Sequence, residues 1–432
     1  MKVLIFGAGG REHALAWAVR RSKRVSEVVC APGNGGIATL ARCVPVDLKD
    51  VDAMVRLAEQ EQPELTIVGP ELPLSLGLVD ALQERGLRVF GPTRAAAMLE
   101  SSKTFAKRFL QRHKIPTAAY AVCTQTSEVE AVLPGFHLPV VVKADGLAAG
   151  KGVIICESRH TAVEAAQSLF SGKLLGERAE LVLIEEFLTG DEISFLCLSD
   201  GQHVVPLVPA QDHKRIGEGD TGPNTGGMGV YSTDTLLTPA MTEWVLHHIA
   251  EPTVLGMAAE DTPFIGVLYC GLMMTARGPQ VLEFNARFGD PETQAIVMRL
   301  ESDLTEALEA CVDGRLDEVE LRWKPGASAC VIASSAGYPG AYKTGLPITG
   351  LDAVDKENAT AEGTAEVRVF HSGSSLLDGE LQTAGGRVLG VTAAAASLEM
   401  ALAQAYRTLS RIHFDGIYYR RDIGHRALKH KP

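Results

Sequence analysis

Two stretches hold the residue types that do chemistry: LEFNARFGDPETQ at 282–294 and KADGLAAGKGV at 143–153. In the first, Glu283 and Asn285 stand two apart in a segment that reads as a strand, so both side chains point to one face. A carboxylate and an amide oxygen placed so suit Mg2+, a hard cation that keeps its waters and takes one or two protein ligands beside substrate phosphates. Arg287 falls on the same face if the strand continues, and can neutralise phosphoryl oxygens. Asp290 and Glu292 crowd the turn that follows.

The second stretch is rich in glycine and carries Lys143 and Lys151. It is not a P-loop, which reads G-x-x-x-x-G-K-[ST] and turns a strand directly into a helix. The spacing from Gly146 to Gly150 is one residue short, and Lys151 is followed by Gly152 rather than a hydroxyl. VIIC (153–156) reads as a strand, so the loop is expected to be a hairpin lid over a phosphate chain. Lys143 reaches from the rigid strand; Gly150 and Lys151 ride on the loop.

The elements that must position these groups alternate. KVLIF (2–6), VSEVVCA (25–31), LTIVG (65–69) and RVFGP (88–92) read as strands, with helical patterns after Glu12 and at 51–60. That alternation predicts a parallel sheet with helices on both faces, ligands lying at the strands' C-terminal ends. GAGGREH departs from the dinucleotide fingerprint, because Glu12 holds its third glycine position and no acid ends the second strand. It reads instead as a turn offering backbone N–H groups and Arg11 to an anion, or as a tight turn required by packing. A nicotinamide-dependent oxidoreductase remains the rival class.

Farther along, the spacing predicts one helix over 100–113, antiparallel strands at 192–198 and 203–208, a long polar loop at 212–229, a helix over 239–259 and a hairpin ending in LEFN. Strands at 328–334, 366–371 and 387–392 and a helix at 397–412 suggest a small α+β end domain. The IEEFL segment, with Glu185 and Glu186, can offer its backbone to an adenine edge, with Glu192 accepting from ribose hydroxyls. With 432 residues the chain has room for several domains. Its net charge of −12 argues against wrapping nucleic acid. The eight cysteines form no C-x-x-C pair, so a zinc site of ordinary spacing is not expected. No apolar run is long enough to span a membrane, and a cytoplasmic protein is expected.

In this order, VGPE (68–71), SSKTFAKRFL (101–110), KADGLAAGKGV, IEEFL, QDHKR (211–215), DTGPNTGGMG (220–229) and EFNARFGDPETQ resemble the ATP-grasp superfamily. Within it, the similarity is to the phosphoribosylamine–glycine ligase (glycinamide ribonucleotide synthetase) family, and runs essentially from end to end. The resemblance implies an α/β and α+β multidomain fold. A parallel, Rossmann-like N-terminal domain would span 1–101, an ATP-grasp domain of two α+β subdomains 102–325 (one mobile, about 120–188), and a small α+β domain 326–432. It implies ATP-dependent joining of glycine to 5-phosphoribosylamine through glycyl phosphate, in de novo purine synthesis, with Mg2+ or Mn2+. The implied partners are those small molecules, not nucleic acid or membrane, with the chain a monomer or weak dimer.

The implied roles fall on matching residues. Lys103, Lys143, Gly150 and Lys151 would meet ATP phosphates; Glu185, Glu186, Phe187 and Leu188 would form the adenine hinge, and Glu192 would take the ribose. Glu283 and Asn285 would hold the metal. Arg287, Lys214 and Asp212 would act at the reacting groups. Gly9, Gly10, Arg11, Asn34, Glu71, Asn224, Asp290 and Glu292 would bind substrate. Many ATP-grasp enzymes carry a second acidic metal ligand on the preceding strand; LYCGLMM has none.

Overall fold

The apolar run at the N-terminus forms the strand Lys2–Gly7, buried on both faces, as a central parallel strand must be. The computed structural model describes residues 1–147, 152–352, 354 and 365–429. Around Lys2–Gly7 lies a five-stranded parallel sheet in the order Arg42–Cys43, Glu27–Pro32, Lys2–Gly7, Leu65–Val68, Val89–Phe90. Alternation along the central strand divides two cores. Leu4 and Phe6 pack with Met54 and Leu57 of the helix Val51–Glu61, while Val3 and Ile5 pack with Leu15 and Val19 of the helix Gly10–Arg20. The two-residue strand Arg42–Cys43 is too short to leave a periodic signal.

The expected helix over 100–113 is two helices, Met98–Ser101 and Lys103–Arg112. Ser102 sits between them in an extended conformation, its hydroxyl accepting from Phe105 N at 3.1 Å and donating to the Asp145 carboxylate at 3.1 Å. A serine N-cap thus starts the second helix and sets Lys103 at its first position. The helix over 239–259 contains a π-turn at Leu246–Ala250, next to Pro252, which lacks the N–H an α-turn would use.

Three antiparallel sheets follow. One runs Tyr120–Cys123, Val182–Glu186, Val140–Ala144, Val153–Cys156, with its own small core against Arg159–Phe170. The next runs Val204–Pro206, Asp191–Asp200, Ile265–Thr275, Gly278–Asn285. The last joins distant sequence: Gln211–Asp212, Gly229–Thr233, Ala327–Ser334, Arg387–Ala395, Ala365–His371. The polar stretch at 212–229 is therefore not a loop. It carries the hairpin Arg215–Gly217/Thr221–Asn224, turned at Gly219 and Asp220 with φ of 66° and 58°. A second hairpin, Ser374–Leu377/Glu380–Thr383, turns through Asp378-Gly379, both at positive φ. All eight cysteines are free, and seven are buried. Among the described residues, no helix is long and apolar enough to cross a membrane.

Candidate active site

Strand ends from two antiparallel sheets supply one half of the site. Lys143 and Glu185 lie on neighbouring strands, and Lys143 Nζ donates to Glu185 Oε2 at 3.0 Å. Lys107 reaches the same oxygen at 2.9 Å and also donates to Thr117 Oγ1 at 2.7 Å. Burial opposes the Glu185 charge, but Lys143 and Lys107 hold the carboxyl below its ordinary range. Its other oxygen, Oε1, has no hydrogen-bond partner among the described residues. Lys103 donates to Gly146 O at 2.7 Å, and burial lowers its pKa.

Glu283 stands opposite Gly271 in the register. Its Oε1 lies 3.5 Å from Lys214 Nζ. Burial raises its pKa, but Lys214, Lys143, Lys103 and Arg287 together bring it down to about 2. Lys214 also pairs with Glu192 on Asp191–Asp200; burial works against its charge, and Glu192 and Glu283 hold its pKa up. The strand stops at Asn285, so Arg287 does not continue it. Glu100 Oε1 at 2.9 Å and Glu71 Oε2 at 3.4 Å turn the guanidinium instead, and Nη2 still donates to Asn285 Oδ1 at 3.0 Å. Glu283 and Asn285 thus keep to one face of the strand, with Asn285's oxygen held by Arg287.

The other half gathers acids. Glu292 Oε1 accepts from Tyr269 OH at 2.7 Å and from Ser194 Oγ at 3.0 Å, fully inside the protein. Burial and then Glu292 push the Asp212 carboxyl well up. Gly227 covers it closely: a Cβ there would sit 2.8 Å from Asp212 Oδ1 and 2.5 Å from Pro291, at a φ of 113°. Only glycine fits, which gives the TGGMG stretch a physical reason.

A cavity of about 460 Å³ opens beside these acids, lined by Gly9, Asn34, Asp290, Ser372 and Arg387 among others. The helix N-terminus at its edge is occupied by the protein's own carboxylates. Gly9 N donates to Glu12 Oε2 at 2.6 Å, and Arg11 N to Asp290 Oδ2 at 3.4 Å. Arg11's guanidinium is buried against Glu12 at 2.5 Å and Phe288 O at 3.0 Å, so it does not face the cavity. Asn34 donates to Ala8 O and His371 O and accepts from Gly36 N and Ile37 N, all within 3.0 Å, and so braces the loop. Arg387, from the far end of the chain, donates to Gly226 O at 2.6 Å and Asp290 O at 2.7 Å.

The comparisons with known proteins follow this layout. Three models of the phosphoribosylglycinamide synthetase family match in succession: its N domain at 1–100, its ATP-grasp (A) domain at 101–293 and its C domain at 328–426. A phosphoribosylamine–glycine ligase of Xanthomonas axonopodis is 50% identical over 99% of this chain and 98% of its own length. The chain belongs to the phosphoribosylglycinamide synthetase family. A relative from Pseudomonas aeruginosa, also a phosphoribosylamine–glycine ligase, is 49% identical over 99% of this chain and 98% of its own. The solved phosphoribosylamine–glycine ligase of Thermotoga maritima superposes with a TM-score of 0.84 at 33% identity, covering 98% of this chain and all of that one. A biotin carboxylase domain from Hydrogenobacter thermophilus, solved with MgADP and bicarbonate, shares the fold at a TM-score of 0.72 and 18% identity, covering 97% of this chain and 91% of that one.

Seen as a phosphoribosylglycinamide synthetase, the chain brings most of the expected residues together, but not all. Asn224 is exposed on the outer strand of its hairpin, opposite Arg215. Glu186 pairs with Arg277 at 2.7 Å, Phe187 is half-buried and Leu188 is buried. Gly10 is buried against Gln294 and Ser372. Gly150 and Lys151 lie outside the described residues. Sequence reasoning missed Lys107, Glu100, Tyr269 and Arg387. Lys107 had a signal, since it follows Lys103 by four on one helix and shares its face. Arg387 had none, lying in an Ala/Gly-rich stretch 97 residues from the Asp290 it meets.

Proposed function

We propose that the protein is a phosphoribosylamine–glycine ligase: ATP phosphorylates the glycine carboxylate, and the amine of 5-phosphoribosylamine displaces phosphate to give glycinamide ribonucleotide. The observation that carries this reading is the division of charge across the site. Lys103, Lys107, Lys143, Lys214 and Arg287 collect on one side around Glu185 and Glu283, while Asp212 and Glu292 face each other on the other. The cationic side suits phosphoryl groups and a substrate carboxylate; two neighbouring acids suit a substrate ammonium.

Phosphoryl transfer needs positioning and charge neutralisation more than a nucleophilic side chain. Lys103 and Lys143 bind the phosphate chain, and Arg287 orients the transferring group from its Glu71 and Glu100 supports. Glu186, Phe187 and Leu188 take the adenine, and Glu192 the ribose. An ionised carboxylate beside an amide oxygen fits Mg2+, or Mn2+: both donors are hard oxygens, and Glu283 stays charged among its four cations. Bound there, the metal would supply charge neutralisation at the phosphates. Asp290, Gly9, Asn34 and Arg387 shape the neighbouring cavity for the phosphoribosyl group, with Arg387 as its cation. The three domains (1–101, 102–325 and 326–432) would meet at this cleft, with about 120–188 closing over ATP, in the cytoplasm.

The test is ADP release from ATP that requires both glycine and phosphoribosylamine. Glu283→Ala should abolish it while leaving the melting transition in place. A folded Glu283→Ala enzyme with substantial activity would refute the metal assignment, and release that needs bicarbonate instead of glycine would refute the reaction.

A further inference from the structure

The terminal motif RDIGHRA and the hairpin that follows Lys214 are far apart in sequence and in direct contact in the fold. Tyr418 OH donates to Ile216 O at 2.9 Å. Arg420, fully buried, donates to Arg215 O at 3.0 Å and pairs with Asp220 at 2.9 Å, while its other edge is held by Asp422 at 2.8 Å. Asp422 Oδ2 also accepts from Gly219 N at 2.8 Å. Arg426 reaches Asp220 at 2.8 Å, and Arg421 N donates to Glu218 Oε1 at 3.2 Å. Positions 215, 216, 218, 219 and 220 therefore each have a partner between 418 and 426.

One contact reaches the site itself. Gly424 N donates to His213 Nε2 at 3.2 Å, so Nε2 is the acceptor and Nδ1–H points to Gly229 O at 3.2 Å. His213 is fully buried between Asp212 and Lys214, whose side chains serve the two halves of the site. Lys214 O is pinned on the other side by Thr225 N at 2.7 Å and Thr225 Oγ1 at 2.9 Å.

We propose that residues 418–426 form a clasp, with Arg420 as its central positioning residue, that fixes the hairpin and thereby aims Asp212 at the glycine end of the site. The ATP end stands on other elements: the strands Val140–Ala144 and Val182–Glu186 and the helix Lys103–Arg112. Lys214 also meets Glu192 and Glu283 on the nucleotide side, but those carboxylates stand on the strands Asp191–Asp200 and Gly278–Asn285, so the clasp acts mainly on glycine. A planar fork with two donors per edge meets Asp220, Asp422 and a carbonyl at once, which lysine's single ammonium cannot do.

The inference rests on the ligase reading for its kinetic test, so a second readout is independent of it. Arg420→Lys and Asp220→Asn should raise the glycine KM by about tenfold or more and leave the ATP KM within about twofold. Tyr418→Phe, which loses one hydrogen bond from a partly exposed side chain, keeps the question open to test if the stronger variants fail to fold, and should show the same split on a smaller scale. In the unliganded protein, amides 213–225 should exchange faster in each variant than in wild type. Unchanged exchange there would overturn the clasp whatever the reaction is. Glycine and ATP constants rising together, or neither moving, would overturn its selectivity for the glycine end. A wild-type enzyme inactive with glycine and phosphoribosylamine would instead sink the ligase reading while leaving the exchange result to judge the clasp.

Discussion

Replacing Lys107 by methionine removes one of two ammonium groups that share a single buried carboxylate. Lys107 and Lys143 both reach Glu185 Oε2, at 2.9 and 3.0 Å, and the three side chains are almost wholly inaccessible. Two cations and one anion leave one positive charge in surplus, and Lys143 is the cation of the pair proposed to meet phosphate. Lys107→Met cancels that surplus and leaves Lys143 paired one-to-one with Glu185. A unit charge about 8 Å from a phosphate, at an effective dielectric near 20, amounts to about 2 kcal/mol, or about 30-fold in ATP affinity. Because Lys143 remains, Glu185 is not stranded, and the stability loss should be about 1–3 kcal/mol. Glu185→Gln, which strands two buried cations, should cost about 3–5 kcal/mol. Calorimetric titration of ATP into the folded Lys107→Met protein measures the first effect, and urea unfolding the second. ATP binding within about twofold of wild type, in a protein whose melt shows it folded, would refute the idea that the surplus charge serves the nucleotide.

Arg387→Met should raise the phosphoribosylamine KM by at least about tenfold, with the ATP KM nearly unchanged, if it is the cation of the 460 Å³ cavity. Steady-state kinetics varying one substrate at a time decides it, and an unchanged phosphoribosylamine KM would count against that placement. His213 should stay neutral through the working range, because burial, followed by Arg420 and Arg426, lowers its pKa to about 3. The sign is that of a histidine that must fold uncharged: unfolded chains take up the proton below about 6.5, so its contribution to stability is whole above that pH and declines toward 3. Its ring resonances should not titrate between pH 5 and 8; a midpoint near 6.5 would show that the clasp does not lock the ring.

The sequence made the parallel sheet legible because each of its longer strands is a continuous apolar run followed by a glycine-bearing turn. Glu283, Asn285 and Lys143 were legible for a similar reason, since a strand's period of two says which side chains share a face. Helix continuity across Ser102 was not, because a serine that caps one helix also passes as an interior residue of a longer one. Nor was the order in 212–229. Its glycines and polar residues carry no periodicity, and the hairpin is held by partners about 200 residues away. Arg11 shows the limit at a single side chain: its type suggested an anion ligand, but its buried guanidinium donates from Nε to Glu12 and from Nη1 to Phe288 O. Arg387 shows the converse, a cavity-lining cation visible only once the last sheet brings it to Asp290.

The proposed ligase activates the glycine carboxylate by phosphorylation before the amine attacks. Glycine labelled with 18O in both carboxylate oxygens tests it most directly. If glycyl phosphate forms, one labelled oxygen leaves with the phosphoryl group and the other stays in the amide, so inorganic phosphate gains one 18O per product molecule. Mass spectrometry of the released phosphate reads this in a single turnover. Unlabelled phosphate, with the departing labelled oxygen recovered in water, would contradict it.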